Sequence, residues 1–457
     1  MELYLRKIWG MIDLNVLVIG GGAREHAICD AVCRSKDNIK LYSVMHNLNP
    51  GIKHLSKDYL QENEVNVPQV VNYAKEKKIE LVIVGPEAPL DIGLVNELKR
   101  NRIDACSPTK EAARIETDKE WMRDLLKKYG IHGQLKCECF TDGKSAKRFI
   151  DSLNGEVAIK PIGLTGGKGV KISGDHFHGL DEALAYVNEV INKKIGGKAK
   201  VLIEEKAIGE EFTLQAFSDG NSILPLHAVQ DHKRLLPGDE GPNTGGMGSY
   251  SCADGLLPFL SKSEYEESAG ILQSIVEALK KDGSKYIGPI YGQFMITADG
   301  PKIIEINARF GDPEAMNVLP LLETDFVELC KSMVEGNISS RKIKLKKKST
   351  VCKYIVPEGY GVKSMVGEKV IVDEEAVKDT GSQLFYASVN KDNDNIYTTS
   401  SRSLAVVGIS DELNDAEKIC EGALNYVTGE HIFIRHDIGT PELIKKRMEH
   451  MNKLRGI

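Results

Sequence analysis

The feature that most constrains the fold is an apolar run that ends in consecutive glycines. Residues 16–19 form a continuous apolar stretch, glycines follow at 20–22, and a helical pattern begins at Arg24. Continuous apolar runs are typical of strands buried on both faces of a sheet. Further strand patterns at 39–45 and 80–84 alternate with helical patterns. This alternation predicts a parallel sheet covered by helices on both faces.

The character of the sequence changes after this first unit, and a length of 457 residues agrees with about three domains. The patterns favour mixed α/β and α+β architecture, with an open parallel sheet at the N-terminus and a small β-rich domain at the C-terminus. We expect four segments, the first of which is an extension before the first strand. They are residues 1–14, an α/β domain 15–115, a central domain 116–338 that contains a compact α+β unit at about 135–205, and a C-terminal domain 339–457.

Composition excludes several classes of protein. A hydrophobic fraction of 41% excludes disorder as the main state, and a net charge of −6 gives no electrostatic case for a nucleic-acid partner. Apolar runs are too short to cross a bilayer, so no membrane association is expected. The 9 cysteines have no CxxC pairs, which indicates reduced thiols instead of a disulfide framework. We therefore expect a cytoplasmic protein.

The first glycine loop does not match the dinucleotide-binding fingerprint. Glu25 stands where a third glycine is required, and residues 41–49 contain no acidic side chain for a ribose. A strand, a tight turn and a helix N-terminus still offer backbone N–H groups to an anion, and Arg24 adds a charged donor. Phosphate binding and a purely structural turn both remain open.

A second glycine loop, residues 163–169, lies between two strand patterns. A Walker A loop leads into a helix and has Ser or Thr after its lysine, whereas Gly169 follows Lys168 here. A P-loop is therefore excluded. A hairpin whose tip carries Lys168 can cover a triphosphate, with Lys160 on the adjoining strand reaching the same oxygens. The alternative is a surface hairpin with solvated lysines.

Residues 303–309 alternate apolar and polar side chains, which places Glu305, Asn307 and Arg309 on one face of a strand. An antiparallel partner at 291–298, joined by a tight turn, would bring Gln293 beside them. Carboxylate and amide oxygens suit Mg²⁺ when substrate phosphates supply further ligands. A solvent-facing strand is the plain alternative.

Two further segments can contact a nucleotide or a small substrate. The strand pattern at 201–205 ends in carboxylates and a short turn, which can offer backbone groups to an adenine edge and a later carboxylate to a ribose. Residues 231–248 are polar and rich in glycine, with too many turn-forming residues for regular structure, which indicates a functional loop. Within it, His232 is equally compatible with a structural role.

The order of these motifs resembles the phosphoribosylamine-glycine ligase family, also called glycinamide ribonucleotide synthetases, of the ATP-grasp superfamily. The resemblance covers the chain from about Asn15 to the C-terminal region. The motifs that carry it are Gly21-Gly22-Ala23-Arg24-Glu25-His26, Gly85-Pro86-Glu87-Ala88-Pro89-Leu90, Gly166-Gly167-Lys168-Gly169, Gln230-Asp231-His232-Lys233-Arg234, Gly241-Pro242-Asn243-Thr244-Gly245-Gly246-Met247-Gly248, Asn307-Ala308-Arg309-Phe310-Gly311-Asp312-Pro313-Glu314 and Arg435-His436-Asp437-Ile438-Gly439.

The resemblance implies an ATP-grasp fold with a mobile lid, and ligation of glycine to 5-phosphoribosylamine in purine biosynthesis. ATP is the implied cosubstrate, Mg²⁺ or Mn²⁺ the implied metal, and a glycyl phosphate the implied intermediate. Glycine and phosphoribosylamine are then small-molecule substrates, and we expect a monomer or a weak dimer. The rival interpretations are a different ATP-grasp ligase, a nucleotide-binding regulator without turnover, and a dehydrogenase, which the position of Glu25 disfavours.

The resemblance also implies a role for individual residues. For ATP phosphates they are Lys119, Lys160, Gly166, Gly167, Lys168 and Gly169; for adenosine, Glu204, Lys206, Ala207 and Glu211; for the metal, Gln293, Glu305 and Asn307. Those expected to contact glycine, the acyl phosphate or another part of the substrates are Asp231, Lys233, Asn243, Thr244, Gly245, Gly246, Arg309, Gly311 and Asp312. Phosphoribosylamine would be held by Gly21, Gly22, Arg24, Glu25, Gly85, Pro86 and Glu87, and the residues expected to be catalytic are Lys168, Asp231, Asn243 and Arg309.

The chain departs from the family pattern in three places. Residues 45–51 lack the family's glycine-rich turn, Ser400-Ser401-Arg402 replaces a common Gly-Gly-Arg pattern, and Gln293 stands where many relatives have no side-chain ligand. These departures affect the expected ribose-phosphate contacts at 45–51, any role for the 400–402 turn and metal binding by Gln293.

Overall fold

The structure, a computed structural model, describes residues 13–164, 169–392 and 395–457. The expected nucleotide contacts Gly166, Gly167 and Lys168 lie outside the described residues, as does most of the expected N-terminal extension.

The N-terminal unit is an open parallel sheet with strand order β3-β2-β1-β4-β5. Leu17 on β1 and Val82 on β4 are both 0% exposed, because helices cover the two faces of the sheet. The strands are β1 (Asp13–Ile19), β2 (Asn38–Met45), β3 (Asp58–Gln61), β4 (Leu81–Val84) and β5 (Asp104–Ala105). The helices are α1 (Ala23–Cys33), α2 (Pro50–Leu55), α3 (Val67–Glu76), α4 (Glu87–Asp91) and α5 (Leu94–Arg100).

Two helices, α6 (Lys110–Thr117) and α7 (Lys119–Lys128), lead from this unit to the next. The sequence pattern predicts one helical stretch over 109–129, and the structure breaks it at Asp118. The backbone there is extended, with φ −137° and ψ 93°, and its carboxylate accepts the Trp121 N–H as a helix N-cap. The break places Lys119 in the first turn of α7.

The lid subdomain, residues 137–205, is a four-stranded antiparallel sheet of order β6-β9-β7-β8 backed by two helices. It has a separate hydrophobic core that includes Ile159, Val187 and Ile203. A separate core lets a subdomain keep its own structure when its position changes. The elements are β6 (Cys137–Phe140), α8 (Gly143–Ser152), β7 (Val157–Pro161), β8 (Lys171–Ile172), α9 (Leu180–Lys193) and β9 (Val201–Glu205).

The central sheet is antiparallel at its core. Its strands are β10 (Glu210–Ser218), β11 (Ile223–Asp231), β14 (Gly248–Ser251), β15 (Gly288–Thr297) and β16 (Gly300–Asn307), covered by α10 (Lys262–Lys281). The expectation that residues 231–248 lack regular structure is wrong, because they contain a short hairpin of β12 (Arg234–Leu236) and β13 (Glu240–Asn243). Polar hairpins of this length have no buried face, so an apolar pattern could not mark them.

The C-terminal region continues the central sheet, since β17 pairs antiparallel with β14. The full order is β16-β15-β10-β11-β14-β17-β22-β19, with β24 also paired to β17. A second sheet has the order β20-β21-β18-β23. The elements are α11 (Ala315–Val318), α12 (Phe326–Glu335), β17 (Ser349–Pro357), β18 (Lys369–Val372), α13 (Glu374–Asp379), β19 (Gln383–Tyr386), β20 (Val389–Asp392), β21 (Asn395–Thr398), β22 (Leu404–Ser410), α14 (Leu413–Leu424), β23 (Val427–Thr428), β24 (Ile432–Ile434) and α15 (Pro441–Arg455).

Two large cores fill the molecule outside the lid, and each takes residues from the N-terminal, central and C-terminal parts. Val406 and Val407, neighbours on β22, belong to different cores because successive side chains of a strand face opposite sides. Within the described part of the chain, no helix has the length and apolar character needed to cross a bilayer.

Candidate active site

A cavity of about 720 Å³ lies where the N-terminal unit, the lid, the central sheet and the C-terminal region meet. Most of the residues expected from sequence line it, as do Leu164 and Val170, which flank the undescribed glycine-loop residues. The expected residues in the lining are Arg24, Pro86, Glu87, Lys119, Lys160, Glu204, Lys206, Ala207, Glu211, Asp231, Lys233, Asn243, Thr244, Gly245, Gln293, Glu305, Asn307, Arg309 and Asp312.

Other expected residues are not part of the lining. They are Gly21, Gly22, Glu25, Gly85, Gly169, Gly246 and Gly311. Gly169 is buried in the lid, where its carbonyl accepts the Tyr186 hydroxyl at 2.7 Å. The Gly311 N–H donates to Gln215 Oε1 at 2.8 Å, which fixes the turn after β16.

Glu305 on β16 is the centre of a cluster of positive charge. Burial opposes its ionisation, but the ammonium groups of Lys233, Lys119 and Lys160 outweigh this and lower its pKa to about 2. Glu305 therefore stays ionised at neutral pH. The three lysines come from the polar segment after β11, the first turn of α7 and the lid strand β7, so three separate elements converge on one carboxylate.

Gln293 on β15 lies directly opposite Glu305 in the antiparallel register. Its Nε2 donates to Glu211 Oε2 at 2.6 Å, whereas its Oε1 is buried without a hydrogen-bond partner. Asn307 Nδ2 donates to Glu305 Oε1 at 3.2 Å. These contacts leave one ionised carboxylate and amide oxygens on adjacent strands, which is a donor set that suits a hard divalent cation.

No group of three or more His, Cys, Asp and Glu side chains in the described ranges 13–164, 169–392 and 395–457 could hold a metal ion. The candidate site at Gln293, Glu305 and Asn307 therefore depends on amide oxygens and on further ligands from a substrate. A cation held in this way fits Mg²⁺, which keeps few protein ligands when phosphates supply others.

Glu204 on β9 is held by two cations at the lid side of the cavity. Its carboxylate lies 2.6 Å from Arg123 Nε and 2.6 Å from Lys160 Nζ, and its side chain is 1% exposed. Burial raises its pKa, but the two cations outweigh burial and lower it. Lys119 Nζ donates to the Gly163 carbonyl at 2.9 Å, which connects α7 to the lid loop.

Arg309, two residues beyond Asn307, connects the central sheet to the N-terminal unit. It lies 3.1 Å from Glu116 Oε1 and 3.6 Å from Glu87 Oε2. Glu116 also accepts the Ala308 N–H at 2.7 Å. Burial raises the pKa of Glu116 to about 7, although Arg309 opposes the change.

Two buried carboxyl groups, Asp231 and Glu314, lie on the same side of the cavity. Burial raises the pKa of both, and the charge of Glu314 raises that of Asp231 further. The Tyr291 hydroxyl donates to Glu314 Oε1 at 2.9 Å, while Asp231 Oδ1 is buried without a partner. Lys233 is the nearby cation. Burial lowers its pKa, but the carboxylates of Glu211 and Glu305, and then those of Asp231 and Glu314, outweigh burial and raise it.

The first glycine loop is occupied by a side chain of its own helix. Glu25 Oε2 accepts the Gly22 N–H at 2.8 Å, and Glu25 Oε1 lies 2.6 Å from Arg24 Nε. A Cβ at Gly85 would lie 2.0 Å from Glu25 Oε1, so this glycine leaves the space that the carboxylate fills. Arg24, oriented by Glu25, is the part of the loop that lines the cavity.

Sequence reasoning did not assign Glu116, Glu314 or Arg402 of the lining, nor Arg123, whose Nε lies 2.6 Å from the lining residue Glu204. Arg123 was detectable, since it stands four residues after Lys119 on one helix. Arg402 was noted only within the Ser400-Ser401-Arg402 turn, and its place in the lining was not predicted because it comes from the C-terminal region. It donates to the Gly245 carbonyl at 2.7 Å and lies 3.0 Å from Asp312 Oδ2.

The lid sheet, the central antiparallel sheet and the charged cavity between them define an ATP-grasp enzyme. The chain belongs to the phosphoribosylglycinamide synthetase family. Sequence models of that family's N domain, ATP-grasp (A) domain and C domain match residues 14–116, 117–315 and 350–441.

Curated relatives and solved structures agree with this assignment. A phosphoribosylamine–glycine ligase of Methanothermobacter thermautotrophicus is 50% identical over 97% of this chain and 100% of its own, and one of Methanobrevibacter smithii is 47% identical over 96% and 100%. The crystal structure of such a ligase from Thermotoga maritima has a TM-score of 0.78 at 25% identity, covering 93% and 100% of the two chains. A biotin carboxylase domain from Hydrogenobacter thermophilus, described as a MgADP complex, shares the fold with a TM-score of 0.72 at 16% identity, covering 97% and 95%.

Proposed function

We propose that this chain joins glycine to 5-phosphoribosylamine with the cleavage of ATP, giving glycinamide ribonucleotide, ADP and phosphate in purine biosynthesis. The observation that carries the proposal is one cavity that joins the lysine cluster around Glu305 to the N-terminal residues Arg24 and Glu87. Arg309 lies between the two ends, within ion-pair distance of Glu87. A nucleotide and a sugar phosphate can therefore meet at one reaction centre.

The lid side holds ATP. Lys119 and Lys160 are assigned to the phosphates, since both charges act on Glu305, one from the first turn of α7 and the other from the lid strand β7. Lys168 is assigned with them from the sequence motif alone. The adenosine end is assigned to the Lys206–Ala207 backbone and to Glu211. Glu204, which lies on the strand leading to this end, also fixes the phosphate-binding Lys160, from which it lies 2.6 Å.

A divalent cation, Mg²⁺ or Mn²⁺, is assigned to Gln293, Glu305 and Asn307. The ion would neutralise charge on the triphosphate. The protein prepares for this by keeping Glu305 ionised and by leaving Gln293 Oε1 without a partner.

The chemistry we assign has two steps. A carboxylate oxygen of glycine attacks the γ-phosphorus of ATP, giving glycyl phosphate and ADP. The amine nitrogen of phosphoribosylamine then attacks the acyl carbon, the C–N bond forms, phosphate leaves, and the nitrogen loses a proton. Because phosphoryl transfer needs positioning and charge neutralisation above all, Arg309 and the Asn243–Gly246 loop are assigned to the acyl phosphate.

Asp231 is assigned to the ammonium group of glycine. Its Oδ1 is buried without a partner and borders the cavity. Binding a cation there would favour the ionised form of a carboxyl group whose pKa burial raises. The lid, which closes over this point, excludes water from the hydrolysis-prone acyl phosphate.

The test is a phosphate-release assay with ATP, Mg²⁺, glycine and chemically prepared phosphoribosylamine, in which the product is identified by mass. Release is expected only when all four components are present, together with a product of the mass of glycinamide ribonucleotide. Phosphate release that does not require glycine, or a product of different mass, would contradict the proposal.

A further inference from the structure

The C-terminal helix α15 reaches the cavity although it lies beyond residue 441, where the match to the family C domain ends. Thr440 caps the helix by accepting the Leu443 N–H, and Met451 is buried completely. Arg455 Nη2 donates to Glu264 Oε1 at 2.7 Å, which ties the end of the helix to α10. The helix is therefore fixed at both ends, and Arg447 in its middle lines the cavity.

Arg447 joins two acidic residues of different segments. It lies 3.0 Å from Glu210 Oε2 and hydrogen bonds to Asp239. Glu210 begins β10 and directly precedes Glu211, which we assign to adenosine. Asp239 belongs to the segment 231–248, which also contains Lys233 and Asn243. Arg447 thus spans the gap between the strand start and the polar segment.

The two carboxylates need a cation between them. Glu210 is 3% exposed, so burial raises its pKa, and the charge of Asp239 raises it further while Arg447 opposes both. Because Glu210 and Asp239 are poorly solvated, their negative charges repel each other when the Arg447 cation is removed. His450 Nδ1, 2.6 Å from Glu210 Oε1, is a second contact from the same helix.

The turn at Gly238 and Asp239, within the polar segment 231–248, is held by further residues of the C-terminal region. Arg435 Nη2 donates to Asp239 Oδ1 at 2.8 Å, and Asp437 Oδ2 accepts the Gly238 N–H at 2.8 Å. Lys446 Nζ donates to the Gly238 carbonyl at 3.0 Å. The position of the segment therefore depends on residues far from it in sequence.

Two polar groups at this end of the cavity have no partner in the described structure. Arg447 Nε is buried and makes no hydrogen bond, and neither ring nitrogen of His232 has a partner although the residue is 1% exposed. Both residues line the cavity. Unsatisfied buried groups that border a cavity indicate a place where a ligand or its water completes the hydrogen bonding.

We infer that Arg447 is a positioning residue, which acts through Glu210 and Asp239 to hold β10 and the polar segment at the separation that a nucleotide needs. This inference rests on the proposed function, because it names a residue that supports its ATP site. The C-terminal helix is then a part of the nucleotide-binding wall.

The test compares Arg447→Met, which keeps the aliphatic stem and loses the guanidinium, with Lys445→Ala on the same helix. Lys445 is a matched control because it pairs with Glu449 on the exposed face, where its side chain is 76% exposed. Arg447→Met is expected to raise KM for ATP at least tenfold, with kcat and KM for glycine within threefold of wild type. ADP affinity measured by calorimetry should fall in parallel, and Lys445→Ala should match wild type in both measurements.

A second-site change separates electrostatic positioning from lost packing. Adding Glu210→Gln to Arg447→Met removes the repulsion between the carboxylates, so KM for ATP should move back toward the wild-type value. No recovery would overturn the positioning role, as would an unchanged KM for ATP in Arg447→Met.

Two further outcomes concern a variant that does not fold and a wild type that is inactive. Should Arg447→Met fail to fold, Asp239→Asn removes one of the two carboxylates that Arg447 joins. A raised KM for ATP in that variant supports the inference, and an unchanged value overturns it. An inactive wild type would contradict the proposed function, whereas the calorimetric comparison of ADP affinity would still decide the role of Arg447.

Discussion

Single residues of the site are arranged as charges that depend on one another. Glu204 pairs with Arg123 and Lys160, and the three side chains are 1%, 4% and 7% exposed. Removing one member of a buried ion pair costs about 3–5 kcal/mol, since the remaining charge is left without compensation. The two ion pairs of Glu204 therefore hold the cationic groups of Arg123 and Lys160 in place for a ligand, instead of adding net stability to the fold.

Glu305→Gln should lower turnover by at least about a hundredfold, because it removes the one carboxylate among the assigned metal ligands. The measurement is phosphate release at saturating ATP and glycine, with the circular dichroism spectrum as a check on folding. Glu266→Gln on the exposed face of α10 is the matched control and should match wild type. Turnover within threefold of wild type in Glu305→Gln would remove Glu305 from the metal site.

Glu204→Gln should destabilise the nucleotide-free protein by about 3 kcal/mol or more, since it leaves Arg123 and Lys160 without a negative partner. Chemical denaturation followed by fluorescence and by circular dichroism measures the loss. Glu138→Gln, at an exposed position of the lid strand β6, is the control and should have a small effect. A Glu204→Gln variant as stable as wild type would contradict the buried ion pairs of Glu204 with Arg123 and Lys160.

At the scale of residues, the sequence predicted which site residues lie together on one strand better than it predicted which residues of distant segments contact each other. Period two placed Glu305 and Asn307 together because alternate residues of a strand share a face by geometry alone, and Arg309 follows just beyond the end of β16. The contacts of Arg402 with Gly245 join residues 157 positions apart, and no local pattern records such a meeting. The roles of these residues remain proposals.

At the scale of elements, polar contacts across the cavity join the lid to the rest of the molecule. Arg234 lies 2.5 Å from Asp175 of the lid, and Lys160 Nζ donates to the Ile304 carbonyl at 3.2 Å. Its hydrophobic core is separate. A ligand that contacts both sides would therefore restrict the lid far more than the sheets behind it.

Nucleotide binding should slow amide hydrogen exchange in the lid strands β7 and β9 by at least tenfold. The reason is that Lys160 and Glu204 face the cavity from these strands, so the nucleotide ties them to the central sheet. Exchange in β1 and β2, far from the lid, serves as the internal control and should not change. Equal protection in all strands, or protection confined to β1 and β2, would contradict the assigned position of the nucleotide.

The junction of α1 with β19 depends on an uncharged histidine. Burial lowers the pKa of His26 to about 4, and its Nδ1 accepts the Tyr386 N–H at 2.9 Å. Because the unfolded chain takes up this proton near pH 6.5, the stabilising effect is complete above that pH and is lost as the pH falls toward 4. We expect the junction to lose on the order of 2 kcal/mol between pH 7.5 and 5.

Hydrogen exchange of the Tyr386 amide, corrected for its intrinsic rate, measures this loss at the two pH values. His26→Gln cannot ionise at this position, so its protection should be independent of pH over the same range. His178→Gln changes an exposed histidine and should keep the wild-type dependence. A wild-type protection that does not vary with pH would contradict the assignment.

The element patterns predicted most of the regular structure and failed where local signals conflict with contacts. The long charged stretch over 109–129 gave no sign of the break at Asp118, which depends on the side chain capping α7. Helix α15 went unrecognised, because Leu443 and Met451 are its only buried residues. Its polar contacts come from α10, β10 and the 231–248 segment. Contacts of this kind form only in the folded chain and leave no periodic pattern in the sequence.

At the scale of the whole molecule, the central sheet crosses the limit between the expected central and C-terminal domains through the pairing of β14 with β17. The same pairing brings Arg402 and α15 to the cavity from the C-terminal side, while Arg24 and Glu87 reach it from the N-terminal side. The family assignment made from the sequence motifs is confirmed by the family models and the curated relatives. The sequence therefore identified the family, whereas the cavity shows how separate regions contribute to one site.

The central proposal is that the carboxylate of glycine and the γ-phosphate of ATP react with each other in that cavity. Glycine labelled with ¹⁸O in both carboxylate oxygens tests it directly, with mass analysis of the released phosphate. A glycyl phosphate intermediate predicts one ¹⁸O atom in each phosphate and one in the amide of the product. Unlabelled phosphate released together with glycinamide ribonucleotide would contradict it.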